Sequence, residues 1–393
     1  MKNLSLFSQI ISKLPRQVFQ SLVIHHKSDY RQKGMDSWTH LISMLFCHFA
    51  KSTSLRDISN GLRSATGNLN HLGLTHAPSK SSLSYQNQRR EADLFKDYYY
   101  QLLGYLGQHM KTRRVNLRIK VPVYLLDSTT ISLCLSLFDW AKFRTQKGAV
   151  KMHTLLDYDA KLPVYVNITE GSKGDNKGAY DVPLQSGSVI VADRYYNDFP
   201  MLRIWDSKGV FFVIRHKDNL SFATIKENEL PDKHAQHILK DEIISLSNKI
   251  SKEKYPNQLR RVVAWDDKNQ QTIEIITNNF KWSAQTIAEL YKCRWQIELF
   301  FRDIKQLLHI KTFIGTSKNA VMIQLWTALI TILILKYLKA ISKYAWHLSN
   351  LVAFIRLNIF VKIDLMIWLN KPFQDPINRK VIIKQGDLFF NQT

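Results

Sequence analysis

Cysteine is scarce in this chain of 393 residues, and what there is does not cluster. Cys47, Cys134 and Cys293 are far apart and odd in number, which excludes a disulfide scaffold and a cysteine-based zinc site and suits reduced core residues of a cytosolic protein. Long hydrophobic runs are missing as well. The longest, Val321 to Leu335, is interrupted by Gln324, Thr327 and Thr331. It falls short of the ~20 apolar residues of a membrane span and reads as a buried helix. The opening segment MKNLSLFSQIISKLPRQVF has no sustained apolar core and no small-residue cleavage site, so a signal peptide is not expected. Internal repeats and low-complexity tracts are absent. The expected location is the cytoplasm, in association with the nucleoid, with no membrane partner.

Negative charge is also in short supply. Fifty-five Lys and Arg stand against 32 Asp and Glu, a net charge of +23, which calls for a polyanionic partner, most often nucleic acid. The surplus sits at the ends. Residues 1–120 hold 18 basic against 6 acidic side chains and residues 283–393 hold 15 against 6, whereas the middle is balanced. Terminal regions that grip phosphate around a central domain with another task fit this distribution.

Residues 1–117 read as a helical N-terminal DNA-binding domain. Trp38, Leu41, Ile42, Leu45, Phe46 and Phe49 keep the spacing of an amphipathic helix. SLRDISNGL reads as a short helix ended near Gly61, and Ser79 opens a polar helix through SSLSYQNQRR. Together these suggest a helix-turn-helix reader with Arg89 and Arg90 on DNA, or a structural bundle with a basic surface. KTRRVNLRIK (111–120) is a basic connector. From 121 the pattern turns to short apolar strands: one ending at Asp127, a hairpin turning near Asp159–Lys161, another strand ending at Asp193, then a helix closed by Gly209 and a further strand. Residues 118–215 and 283–340 are the expected α/β catalytic domain. Residues 216–282 read as a β-rich insertion with a hairpin turn near Asp266–Asn269. A long buried helix capped by Ser317 follows, and 341–393 form a C-terminal region.

Tyr291, Arg294, Glu298 and Lys305 are the most informative residues. At about 100° per residue they fall within roughly 60° of one another on a helix, on a stripe flanked by Trp295, Ile297, Phe300, Phe301 and Ile304. A local Arg294–Glu298 ion pair would explain two of them at only about 0.2–0.5 kcal/mol. A glutamate on a mostly buried helix, together with two aspartates at strand ends, makes a stronger set. Strand ends are where ligands gather in α/β sheets. Three convergent carboxylates need a cation, and Mg²⁺ accepts oxygen ligands while leaving room for water and phosphate. Two such ions suit phosphodiester chemistry.

The D…D…E order with Y-x2-R-x3-E-x6-K resembles the signature of DDE transposases of the insertion-sequence-four group. DSTTI (127–131), KGAVKMH (147–153) and ADRYYND (192–198) are similar to that group too. SLRDISNGL, HLGL and SSLSYQN resemble the helical domain that precedes catalysis in one of its branches. Tyr195 departs from the small residue more usual there. The resemblance implies an RNase H-like catalytic core interrupted by the β-rich insertion. Its catalytic and metal-holding residues would be Asp127, Asp193 and Glu298, with two Mg²⁺ ions for which Mn²⁺ can substitute. It also implies cut-and-paste chemistry through hairpin ends, strand transfer into target DNA, and a dimer on paired terminal inverted repeats. Arg294 and Lys305 would contact phosphates, and Tyr291 would stack on a base or bond a phosphate. Lys147 and Lys151 would line the DNA channel. Trp265 is a candidate for holding a flipped base or, more simply, the core of a hairpin. His153 reads as a hydrogen-bonded core residue. Three rivals stay open: a stand-alone nuclease of the same fold, a DNA-binding protein without catalysis, and a peripheral membrane protein, which would explain the charge but not the acids.

Overall fold

The computed structural model describes the chain except residues 1–2, 33, 66, 109, 111–118, 134–137, 139, 141, 145–146, 173, 176–177, 231–236, 308–312 and 374–393, and except the side chains of 142–144, 147 and 307. The basic connector, Cys134 and the side chain of Lys147 therefore lie outside the described residues.

The N-terminal third is helical: α1 (Leu6–Ile11), α2 (Arg16–His25), α3 (Ser37–Ala50), α4 (Leu55–Arg63), α5 (Lys80–Arg89) and α6 (Asp93–Gly107). Local chemistry sets their starts. Ser5, Asp36, Ser54 and Ser79 each accept a backbone N–H in the first turn of the helix they precede, and Ser54 and Asp57 form a reciprocal capping box. α4 ends near Gly61 but two residues past it, at Arg63, and the glycine serves packing, since a Cβ there would come within 2.5 Å of the Phe46 ring. One expectation needs correction. α3 is buried nearly all round, so it is a core helix and not an amphipathic one. Two of its polar residues reach partners on other helices: His40 Nε2 lies 2.8 Å from Asn87 Oδ1 and His48 Nε2 3.0 Å from Thr327 Oγ1. The helix-turn-helix spacing is also not met. Segment 64–79 separates α4 from α5, where that motif uses a turn of about 3–4 residues, and α5 turns Leu83, Gln86 and Asn87 into the core.

A ten-stranded sheet follows. β1 (Val123–Leu133) pairs antiparallel with β3 (Lys147–Asp157). β3 pairs antiparallel with β4 (Pro163–Glu170) and with the short β2 (Lys142–Arg144). On the other side β1 runs parallel to β5 (Val189–Ala192), and β5 parallel to β6 (Phe211–Arg215). The order β4-β3-β1-β5-β6, with its last two strands parallel to β1, is the RNase H-like core. α7 (Phe199–Ser207) joins β5 to β6, capped by Asp198 and followed by Gly209 at φ +70°. The expected end of β1 at Asp127 is also corrected. The strand continues to Leu133 because β3 keeps pairing with it after β5 has stopped.

Residues 216–282 extend this same sheet. β10 (Gln271–Thr277) lies against β6, followed by β9 (Leu259–Asp266), β8 (Ile238–Leu246) and β7 (Phe222–Glu227). One short helix, α8 (Lys249–Lys254), interrupts the strands. Buried ion pairs tie them together: Arg260 to Asp241 at 2.7 Å, and Arg261 to Glu242 and Glu274. Then come α9 (Ala284–Cys293), α10 (Trp295–Leu307), α11 (Lys318–Ile341), α12 (Leu348–Leu357) and α13 (Leu365–Asn370). α11 begins at the Ser317 cap. It is long and apolar enough to cross a membrane, but it is buried inside the protein, packed against α3, α5, α6, α10 and α12. One apolar core therefore runs from Leu6 through the sheet to Leu369. A second, on the opposite face, gathers around Tyr196, Trp205, Phe212 and Tyr255.

Candidate active site

Sheet register places the two aspartates. Leu126 of β1 is paired with Ala192 of β5 in parallel, so Asp127 and Asp193 are the next residues on neighbouring strands, at the carboxyl edge where ligands collect. Each is held by one backbone N–H: Ser128 donates to Asp127 Oδ1 at 2.7 Å and Tyr195 to Asp193 Oδ1 at 2.8 Å. Tyr195 is exposed, and its bulk leaves that turn closed.

The third acid comes from the helices packed against the sheet. The expected single helix is two, α9 and α10, joined at Arg294. Arg294 N–H bonds to Tyr291 O, and Ile297 N–H to Arg294 O, each three residues back. This tightens the joint to 3₁₀ geometry, so an angular count at 100° per residue does not carry across it. Tyr291 is buried before the joint, with the Arg294 guanidinium 6.0 Å from its ring centre. Glu298 sits in the first turn of α10. Lys305 lies about two turns further on, half-buried.

Arg294 is the centre of this arrangement. Its Nη2 is 2.5 Å from Glu298 Oε1 and its Nη1 3.6 Å from Asp127 Oδ2. One guanidinium thus links the strand acid to the helix acid. Among the described residues no three acidic, imidazole or thiol side chains stand close enough to ligate one ion as they are, and Arg294 stands between two of the acids concerned.

The site is nevertheless short of positive charge. Burial pushes the Asp127 carboxyl up to about 7, with Asp193 and Glu298 adding to the rise while the Ser128 N–H and Arg294 oppose it. Asp193 is raised by burial and by Asp175, against the Tyr195 N–H, Arg294 and Arg194. Carboxylates so placed hold their charge only beside more cation than one arginine.

Asp175, which sequence reasoning missed, is a fourth acid at this edge. It lies between strands, in a loop with no local motif to mark it. It accepts the Ser128 hydroxyl, next to Asp127, and pairs with Lys151 Nζ at 3.0 Å. The Lys151 side chain is only 12% exposed, so Asp175 takes the ammonium expected to line a DNA channel. Tyr196 is buried beside these acids. Burial raises its phenol well above the usual range, and Asp127, Asp175 and Asp193 add to the rise. His153 is a core residue: its ring covers Gly178, and its Nε2 is 3.1 Å from Thr169 Oγ1.

The remaining expected DNA contacts lie elsewhere. Trp265 is half-buried near the end of β9, opposite Thr272. The turn after it reaches the helix joint, where Lys268 Nζ sits 5.5 Å from the centre of the exposed Trp295 ring. Arg89 is exposed at the end of α5. Arg90 is buried. It bonds Asp29 at 3.0 Å, Ser28, Gln32 and the Met35 and Asp36 carbonyls, so its expected place on DNA is corrected to a structural one.

The fold puts this chain among the RNase H-like enzymes, which work on phosphodiesters at the carboxyl edge of the sheet. The family is more particular: residues 120–334 match the transposase DDE domain, and the chain belongs to that family of DNA-cutting and strand-transfer enzymes. Residues 2–75 match a domain of unknown function, DUF4372. Among curated relatives, a protein of Sinorhizobium fredii named as transposase y4zB is 29% identical over 77% of this chain and 84% of its own length. The named transposase for insertion sequence element IS5377 of Geobacillus stearothermophilus is 32% identical over 63% of this chain and 64% of the relative. That for IS4SA of Synechocystis is 23% identical over 74% and 81%.

Proposed function

We propose that this transposase moves a bacterial insertion sequence by cutting at the element's terminal repeats and joining the freed 3′-OH to target DNA, with Asp127, Asp193 and Glu298 as its catalytic acids. The observation that supports this most is that Asp127 and Asp193 each follow the last paired residue of the parallel strands β1 and β5, with Glu298 tied to Asp127 through Arg294. The donor set fits Mg²⁺, since all three ligands are carboxylate oxygens and two of them are held above their usual range by burial and mutual repulsion. Bound there, two ions would lower the pKa of an attacking water or 3′-OH and stabilise the leaving oxygen.

The chain's own residues do the rest. Backbone N–H groups of Ser128 and Tyr195 fix the two carboxylates. Arg294 offsets part of their charge in the free enzyme, then turns to the scissile phosphate, steadied by the Tyr291 ring. Lys305 meets the backbone further along. Charge-assisted bonds of this kind position DNA without reading its sequence. Resolution through hairpin ends, and a dimer on paired ends, belong to the same proposal.

The test is cleavage of a supercoiled plasmid carrying the element's own ends, with Mg²⁺, by wild type and Glu298→Ala. We expect DNA binding retained and cutting reduced at least about 10³-fold, or ~4 kcal/mol of barrier. Equal cutting by both proteins would remove Glu298 from the catalytic set. Hydrolysis without joining of pre-cut 3′-OH ends would favour a nuclease.

A further inference from the structure

The N-terminal helical region carries a cleft of about 330 Å³, lined by Tyr30, Arg31, Gln32, Tyr85, Gln86 and Arg89 among others. We infer that this cleft is a binding site for the sugar–phosphate backbone of DNA, with Arg31 and Arg89 as its phosphate ligands. The inference rests on the transposase reading above and assigns a task to residues remote in sequence from the acids.

Charge is the first argument. None of the lining residues is acidic. Two carboxylates adjoin the lining in sequence: Asp29 is already held by Arg90 at 3.0 Å and by Ser37, whereas Glu91, just past Arg90, is exposed and leaves the cleft a surplus of two cations over one acid. Arg31 and Arg89 are exposed, and neither has an ion-pair partner among the described residues. Geometry is the second argument. Arg31 stacks on Tyr30 with its guanidinium carbon 5.2 Å from the ring centre, and Arg89 on Tyr85 at 5.3 Å. Such a cation–π contact steadies the guanidinium without using an acceptor for its N–H groups, and a guanidinium can grip a phosphate by two bonds. The contact also removes part of the side-chain freedom that binding would otherwise cost. Both tyrosines are exposed, Tyr30 at 69% and Tyr85 at 55%. A packing role would bury them. Backbone strain is the third argument. Arg31 has φ +53° and Lys27 φ +50°, a region where glycine or asparagine is preferred. Such conformations gather at ligand-binding sites as well as at helix ends. Behind the cleft, buried Arg90 bonds residues 28, 29, 32, 35 and 36 and holds this turn against the end of α5.

The test is fluorescence anisotropy with the full chain, using a short duplex carrying the element's end and a scrambled duplex, over a series of salt concentrations. The variants are the double Arg31→Asn/Arg89→Gln, and Arg89→Lys. Asparagine suits the left-handed backbone at 31, and both positions are exposed, so thermal melting should match wild type. We expect the double variant to bind both duplexes roughly 10–100-fold more weakly, with a salt slope shallower by about 2, one for each phosphate no longer neutralised. Arg89→Lys keeps the charge and loses the fork, so its slope should hold while affinity falls several-fold. Unchanged affinity and slope in the double variant, with wild type binding normally, would overturn the cleft and leave the transposase reading standing. A wild type that binds neither duplex would overturn both. DNA binding unchanged, with poly-glutamate binding to wild type and not to the double variant, would reassign the cleft to an acidic polypeptide.

Discussion

Asp127 carries a cost at rest. Its carboxyl rises from about 3.8 to about 7 on folding, so the folded chain holds an extra proton between those values. Stability therefore falls as pH rises through that window, and above about 7 the full penalty is present. In metal-free buffer at pH 8, Asp127→Asn should raise stability by about 2–4 kcal/mol, since each tenfold change in proton affinity corresponds to about 1.4 kcal/mol. The gain should vanish near pH 4, and cleavage should be lost throughout; melting curves with and without Mg²⁺ at both pH values check this. An unstable substitution at pH 8 would mean that the site is not short of positive charge. Arg89 and Arg90 make a second contrast at this scale. Arg90→Ala leaves the Asp29 carboxylate without its buried partner and should cost about 3 kcal/mol, whereas Arg89→Gln should leave the melting temperature unchanged. Equal effects of the two in a melting experiment would contradict the burial that separates these neighbours.

At the scale of elements, capping chemistry sets most helix starts and is visible in the sequence. Ser79 and Ser317 read as caps there and are caps in the fold. Hairpin turns are legible for a similar reason: polar turn residues between alternating strands admit few other structures. Gly209 closes α7 as its sequence suggests, but other helix ends and breaks are not legible, because neighbours decide them. Gly61 looks like a terminator and is an accommodation for Phe46. In an ordinary helix Gly→Ala stabilises by up to about 1 kcal/mol. Here Gly61→Ala should destabilise by about 1–3 kcal/mol, and adding Phe46→Leu should recover part of the loss in a denaturation series. Stabilisation by the single change would show that the ring has room to move. The joint at Arg294 is hidden too, since neither proline nor glycine marks it. It matters because it turns Arg294 back towards Asp127.

At the scale of the whole molecule, α11 is the axis. Its apolar surface is covered on one side by α3, α5 and α6 and on another by α10 and α12. The helices before residue 118 and the catalytic sheet thus share one core, where the sequence reads as a helical domain, a catalytic domain split by an insertion, and a C-terminal region. A chain lacking residues 1–117 would expose the flank of α11 that those helices bury, a long apolar surface prone to aggregation. Such a truncation should be insoluble or molten, and co-expression with residues 1–117 as a separate chain should restore solubility. A soluble truncation with a cooperative melt would show the catalytic part to be independent. The net charge of +23 acts at this scale as well, drawing any polyanion to the surface without deciding which face meets it.

The residues alone determined most of the strands, the hairpin turns, the Tyr-Arg-Glu-Lys spacing and the basic ends, because these follow from periodicity, turn chemistry and charge. Only the tertiary structure decided that Asp175 joins the acids, that Asp175 takes Lys151, that Arg90 is buried while Arg89 is exposed, and that Arg294 links two carboxylates. Each of these depends on which side chains long-range packing brings within bonding distance, and a linear spacing does not carry that information.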